Sequence, residues 1–182
     1  MLEEYIFAGF GGQGIMTIGI AMAYAAMLDG YESAWIPSYG PESRGGTANC
    51  SVVISDEAIG SPHPSHPNGV IVMNAPSFQK FEPLVSKGGL LVVNQSIVPY
   101  KSERQDIQTV FLPFSEIATE LGYPLALSVV ALGAFNAIKK IVSDESIEKA
   151  LDFVLPAHRK KYLDINIAAY KEGKKRALAL NP

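Results

Sequence analysis

Two rhythms of apolar and polar residues divide the chain. Tyr5 to Ala8 is a short apolar run that predicts a strand. From there Ile15, Ile18, Gly19, Met22, Ala23, Ala26 and Met27 recur at helical spacing, predicting a helix over Gln13 to Leu28 that Gly30 stops. Glu32 to Ile36 and Ala48 to Ile54 predict the next two strands, and the stretch between them, Ser38 to Thr47, is dense in turn formers. Parallel neighbours need a crossover of roughly a dozen residues, usually helical, so the third strand is predicted antiparallel to the second, in a mixed sheet.

Gly69 to Met73 and Gly89 to Val93 are almost wholly apolar, as strands covered on both faces are, and Pro76 to Lys87 between them predicts a helix. Asn74 and Asn94 follow these strands at the predicted carboxyl edge of the sheet, either as ligand contacts or as loop caps. Thr109 to Leu112 predicts one more strand. The remainder reads as helix: Phe114 to Leu121 ending at Gly122, Leu127 to Ile141 apolar on nearly every side as in a central buried helix, and an amphipathic segment with Ser143 as N-cap and Pro156 as stop. A final helix is predicted over Ile165 to Leu178. The whole describes a single domain over residues 1–182, of α/β class: a Rossmann-like, three-layer, doubly wound sheet, mostly parallel with at least one antiparallel strand, and a helical C-terminal part.

The chemistry of this pattern concentrates at Gly9-Phe10-Gly11-Gly12-Gln13-Gly14, between the first strand and the first helix. Such a turn leaves the first helical N–H groups without intrahelical partners and sets the positive end of the helix dipole behind them, which suits an anion. The spacing satisfies G-x-G-x-x-G, but a dinucleotide site also wants an acidic residue at the end of the second strand, and Glu32 stands at its start. NAD or NADP is therefore disfavoured against another anion, a packing role or a subunit contact. His63 and His66 lie in a proline-broken connection where their spacing fixes no common face, and Cys50 on the third strand reads as a small buried hydrophobe. No catalytic constellation emerges.

Charge alters this picture in one place. The chain is 48% hydrophobic and 18% charged with a formal net charge of -3, richer in apolar residues than an average soluble domain, which points to a partner surface and gives no electrostatic reason to expect nucleic acid or an anionic membrane. No segment reaches the roughly 18 apolar residues of a membrane span, and the N-terminal Glu3 and Glu4 do not resemble a secretory signal. A single cysteine fits a reducing cytoplasm and is too few for an iron–sulfur cluster, which takes about four. Before Lys80 the single positive charge is Arg44, set in the Gly/Ser-rich loop Ser43-Arg44-Gly45 against seven carboxylates, which makes it the natural anion-binding side chain of this half. Seven of the 15 basic residues fall after position 158, Arg159, Lys160 and Lys161 among them, where a solvated face or a partner contact is expected.

Gly9 to Gly14, Ser38-Tyr39-Gly40-Pro41-Glu42-Ser43-Arg44-Gly45-Gly46 and Ile54-Ser55-Asp56-Glu57-Ala58-Ile59, in that order and with the Leu127 to Ile141 helix behind them, resemble the gamma subunits of 2-oxoacid:ferredoxin oxidoreductases. The likeness is nearer to 2-oxoglutarate, pyruvate and 2-oxoisovalerate members than to indolepyruvate enzymes. It implies an accessory, itself non-catalytic subunit of a cytoplasmic heteromeric complex with alpha, beta and in some cases delta partners. The complex decarboxylates a 2-oxoacid, transfers the acyl group to coenzyme A and reduces ferredoxin. Thiamine diphosphate, Mg and the Fe–S clusters would sit on other chains, with no cofactor on this one. The coenzyme A side would be shaped by Gly11, Gly12, Gln13, Gly14, Ser43 and Arg44. Two other classes stand beside this reading: a stand-alone nucleotide-binding oxidoreductase, and a pure scaffold subunit in which the glycine turn and the Arg44 loop only pack.

Overall fold

In the computed structural model, which describes residues 1–41 and 46–180, the chain runs β1 (Leu2–Phe10), α1 (Ile15–Leu28), β2 (Glu32–Tyr39), β3 (Thr47–Ser55), β4 (Gly69–Val72), α2 (Ala75–Phe81), β5 (Leu90–Asn94), β6 (Gln108–Leu112), α3 (Phe114–Glu120), α4 (Leu127–Lys139), α5 (Asp144–Val154) and α6 (Leu163–Leu180). A single sheet takes the order β2-β3-β1-β4-β5-β6. β3 runs antiparallel to both β2 and β1, while β1, β4, β5 and β6 are mutually parallel. The mixed, mostly parallel α/β sheet expected from the sequence is the one observed.

Two features depart from the sequence expectation for physical reasons. β2 continues past Ile36 through Pro37 to Tyr39, because it is an edge strand whose outer N–H groups have no ladder to supply, so a proline interrupts nothing there. β5 and β6 are parallel neighbours joined by residues 95–107 without a helix. Val98 and Ile107 from that connection pack where a crossover helix would lie.

The two faces of the sheet are covered unequally. Tyr5, Phe7, Cys50, Val52, Ile71 and Val92 face a large core built with α1, α3, α4, α5 and α6, whereas Ile6, Ala8, Val70, Val72, Leu91 and Val93 face a smaller one closed by Phe78 and Phe81 of α2. α4 is the centre of the larger layer, with Ser128 to Ala137 all buried. It crosses α6 at close range through glycines. A Cβ on Gly133 would lie 2.0 Å from the Tyr170 carbonyl oxygen, and one on Gly173 2.0 Å from that of Val130. Next to the crossing, Asn136 donates to the Tyr170 hydroxyl (2.8 Å), which donates to Asp144 (2.7 Å), and Lys174 pairs with the same carboxylate. That relay ties α4, α5 and α6 together.

The far end of α1 is fastened to α5. Asp29 caps α1 and also accepts from the backbone N–H (2.6 Å) and hydroxyl (2.9 Å) of Ser143 and from the Ser146 hydroxyl (2.5 Å) at the start of α5. Ser143 in turn caps its own helix by accepting from the Ser146 N–H, as its sequence context predicts.

Candidate anion site at the glycine turn

β1 ends at Phe10 and α1 opens at Ile15, and the intervening turn is fixed by what each glycine does. Gly12 (φ 95°) and Gly14 (φ 77°) adopt the left-handed conformation that side chains disfavour. At Gly12 a Cβ would meet open space, so only its backbone requires glycine. At Gly14 a Cβ would sit 2.3 Å from Ser128 Oγ, so this glycine also lets the first turn of α4 approach. The helix predicted from Gln13 starts two residues later because Gly14 is the left-handed N-cap.

Two of the turn's four N–H groups are already used. Gly11 N–H donates to Gly46 O (3.0 Å) and Gln13 N–H to Phe10 O (3.1 Å). The side chain of Gln13 is engaged as well: its Oε1 accepts from Phe10 N–H (2.7 Å) and its Nε2 donates to Met73 O (3.3 Å). Gln13 therefore straps the turn to the end of β4. The N–H groups of Gly12 and Gly14 have no acceptor among the described residues.

In front of the turn lies a pocket of about 310 Å³ lined by Phe10, Gly11, Gly12, Gly14, Tyr39 and Arg159, among others. Arg159 belongs to the 3-10 segment Ala157–Tyr162 that precedes α6. The described residues hold no carboxylate paired with its guanidinium, and the first turn of α1 carries no acidic residue. Helix dipole, backbone N–H and guanidinium thus bring one sign of potential to one pocket. Arg159 is the site residue that the sequence did not single out; its basic neighbourhood was visible, but nothing local says that it folds back onto the first turn. Ser43 and Arg44 lie outside the described residues. A larger cavity, about 540 Å³, is a different place: Glu32, Asp56 and Glu57 line it at the amino end of β1, where its charge repels anions.

β1 leads into α1 on one face of the sheet and its parallel neighbour β4 leads into α2 on the other, so a topological switch point lies between their carboxyl ends. The pocket lies on the opposite flank of β1, walled by Tyr39 of β2 and Ala48 of β3 and by no residue of β4 or α2. The strand beside β1 on the other side is the antiparallel β3, whose Thr47 pairs with Phe10. Glu32 pairs with Ser55, itself opposite Leu2, and so lies at the far end of the sheet from the glycines. That topology keeps Glu32 out of the dinucleotide ribose position.

Asn74 and Asn94 both prove to be caps at that carboxyl edge, fully buried. Asn74 Oδ1 accepts from Ser77 N–H (2.9 Å) to cap α2, and Asn94 Oδ1 accepts from Ser96 N–H (3.3 Å). Asn74 differs in one respect, in that its Nδ2 finds no acceptor among the described residues. Cys50 is buried behind the first turn of α1, donating to Ile15 O (3.6 Å), and burial pushes its thiol up to about 12. It is the small apolar filler the sequence suggests. No cluster of three or more metal-ligating side chains occurs among the described residues, and none of their helices is long and apolar enough to cross a membrane.

A mixed sheet with a glycine turn at the end of β1, free backbone donors at Gly12 and Gly14 among the described residues and an arginine lining the pocket in front of them defines a Rossmann-like α/β domain. Residues 4–176 match the pyruvate ferredoxin/flavodoxin oxidoreductase family, and the chain belongs to it. It is 36% identical over 177 residues to the 2-oxoglutarate synthase subunit KorC of Methanocaldococcus jannaschii, covering 95% of this chain and 92% of that protein. It is 35% identical over 167 residues to the ketoisovalerate oxidoreductase subunit VorA of Methanothermobacter marburgensis, covering 91% of this chain but only 34% of VorA, so it spans about a third of that relative. The keto/oxoacid ferredoxin oxidoreductase gamma subunit from Geobacter sulfurreducens shares the fold with a TM-score of 0.83 at 31% identity, over 97% of this chain and 99% of that one.

Proposed function

We propose that this chain is the gamma subunit of a 2-oxoacid:ferredoxin oxidoreductase and forms the coenzyme A side of its active site. The overall reaction breaks the bond between the carboxyl and keto carbons, releasing CO2. It then joins the acyl carbon to the coenzyme A sulfur with loss of the thiol proton and passes two electrons to ferredoxin. The observation that carries the assignment is the cradle at the glycine turn: the Gly12 and Gly14 N–H groups at the start of α1, with Arg159 lining the same pocket. Coenzyme A is rich in phosphate, which suits backbone donors at a helix N-terminus and a guanidinium. In this reading Gly11 and Gln13 shape the turn, Gly12 and Gly14 contact the ligand, and Ser43 and Arg44 add a second cation from the neighbouring loop.

The chain's own donor set does not suit the redox groups such a complex uses. It offers one cysteine, buried, where a cluster takes about four thiolates. Thiamine diphosphate, Mg and the Fe–S clusters are accordingly assigned to alpha, beta or delta partners, and this chain to binding and assembly in a heteromeric cytoplasmic enzyme.

Co-purification from the native source tests the assignment. The expected result is a coloured complex whose other chains hold iron and thiamine, with the isolated chain inactive; a colourless assembly without an iron–sulfur partner would rule it out. Within the active complex, Arg44→Ala is expected to raise the KM for coenzyme A roughly tenfold, the loss of one charge-assisted hydrogen bond of about 1.4 kcal/mol. The KM for the 2-oxoacid should hold. Unchanged coenzyme A kinetics would leave the Arg44 loop with packing alone.

A further inference from the structure

α1 is apolar on every side. From Ile15 to Leu28 no residue is charged, and only Thr17 and Tyr24 carry a side-chain oxygen. Its inner stripe, Ile15, Ile18, Met22 and Ala26 among it, is buried in the larger core. The outer stripe is as apolar: Met16, Ile20, Tyr24 and Met27 follow one another at successive turns, with Leu28 beside them. That stripe is half-buried along its length and opens at its end, where Met27 is 59% exposed. Phe153 of α5 stacks on Tyr24 with ring centroids 4.0 Å apart, is 58% exposed, and widens the apolar surface. A helix apolar all round is normally enclosed, whereas a solvated one turns charge outward. The neighbouring α5 shows the second behaviour in the same layer, since five of its 11 residues are charged.

We infer that the outer face of α1, with Phe153, is covered in the assembled enzyme by another subunit that presents an uncharged, apolar surface. A membrane surface is the wrong occupant, because it attracts helices with lysine or arginine on their polar side and α1 has neither. A second copy meeting the face head-on would bury too little. A stripe about 21 Å long on a helix about 10–12 Å across offers on the order of 250 Å², whereas a specific interface takes about 800 Å² from each partner. A different subunit that also touches the chain elsewhere makes up that difference. The position of the face selects the same occupant. Met16 and Thr17 belong both to this outer face and to the wall of the glycine-turn pocket. If coenzyme A sits on the turn, its thiol has to meet an acyl group carried by another chain, so another subunit must stand at the pocket, and α1 is the apolar surface continuous with it. This last step rests on the coenzyme A reading above.

The test is made on the native complex, purified through a tag on this chain. Met27→Lys and Ile20→Lys put a charge on the face, Met27→Leu keeps it apolar, and Ile97→Lys charges an exposed apolar residue in the connection between β5 and β6. Met27→Lys and Ile20→Lys are expected to retain at least tenfold less of the iron- and thiamine-bearing chains, because a lysine pressed against an uncharged surface has no partner. Met27→Leu and Ile97→Lys should retain them as wild type does. The thermal unfolding midpoint of the free chain should hold in Met27→Lys, whose side chain is exposed, so that variant decides if Ile20→Lys unfolds. Full retention by Met27→Lys overturns the inference, and so does an equal loss with Ile97→Lys, which makes the effect one of added charge anywhere. A free chain that sediments as a dimer, and that Met27→Lys turns into a monomer while the other subunits stay bound, gives the face to a second copy and overturns it too. If the wild-type chain itself retains no iron–sulfur partner, the subunit assignment falls; if wild type and every variant retain it alike, this inference alone falls.

Discussion

At the scale of single residues, Gly12 and Gly14 share a sequence context but not a role, and substitution separates them. Both hold positive φ, so alanine costs about 1 kcal/mol at either from backbone strain. Only at Gly14 does a Cβ also strike a neighbour, Ser128 Oγ at 2.3 Å, where the first turn of α4 must retreat. Gly12→Ala is therefore expected to lower chemical stability by about 1 kcal/mol and Gly14→Ala by roughly 2 kcal/mol or more. Comparable losses measured by denaturant titration would show that Ser128 accommodates the methyl. A Gly14→Ala, Ser128→Ala double variant should recover part of the difference, because the clash is with the hydroxyl.

Among the elements, those legible from sequence were the ones whose pattern follows from local burial. The continuous apolar runs of β4 and β5 announce strands covered on both faces, and α4, buried from Ser128 to Ala137, announces itself by having no polar side. What stayed hidden depends on neighbours far along the chain. Pro37 ends a strand in most contexts and here does not, because β2 has an open edge. Gly133 and Gly173 read as ordinary helical residues until α4 and α6 are seen to cross through them. The glycine turn was legible for the opposite reason, since strand, glycines and helix are contiguous, while Arg159 reaches it only through the tertiary fold. The crossing makes a sharp prediction. A methyl on Gly133 would lie 2.0 Å from the Tyr170 carbonyl, backbone that cannot yield without moving α6 and the Asn136–Tyr170–Asp144 relay. Gly133→Ala is expected to cost about 3 kcal/mol or to prevent folding, despite alanine's better helix propensity. A stabilised Gly133→Ala protein, by thermal unfolding, would mean that the helices do not meet there.

For the whole molecule, the pH dependence of stability follows from which carboxyls the fold favours as anions. Asp29 and Asp144 are both held below the ordinary 3.8. At Asp29 partial burial opposes ionisation, but hydrogen bonds from Ser146 and Ser143 outweigh it. At Asp144 burial is again opposed, by Lys174 and the Tyr170 hydroxyl. Depressed folded-state values mean that the unfolded chain binds more protons in acid. The stabilisation is thus complete above the ordinary carboxyl range and is lost as pH falls through it toward the lower folded-state values. Both residues hold α5, Asp29 by joining it to α1 and Asp144, in its own first turn, by joining it to α6, so acid is expected to loosen that helix together with global stability. The two differ in how they respond to salt. Lys174 contributes to Asp144 through charge, which ions screen, whereas the partners that lower the Asp29 value most are hydroxyl and backbone donors. Urea titrations should therefore show a plateau from about pH 7 to about pH 5 and a decline below about pH 4. Asp29→Asn should flatten that decline at both low and high salt, and Asp144→Asn chiefly at low salt. An acid limb unchanged by Asp29→Asn would show that its contacts with Ser143 and Ser146 do not favour the charged form.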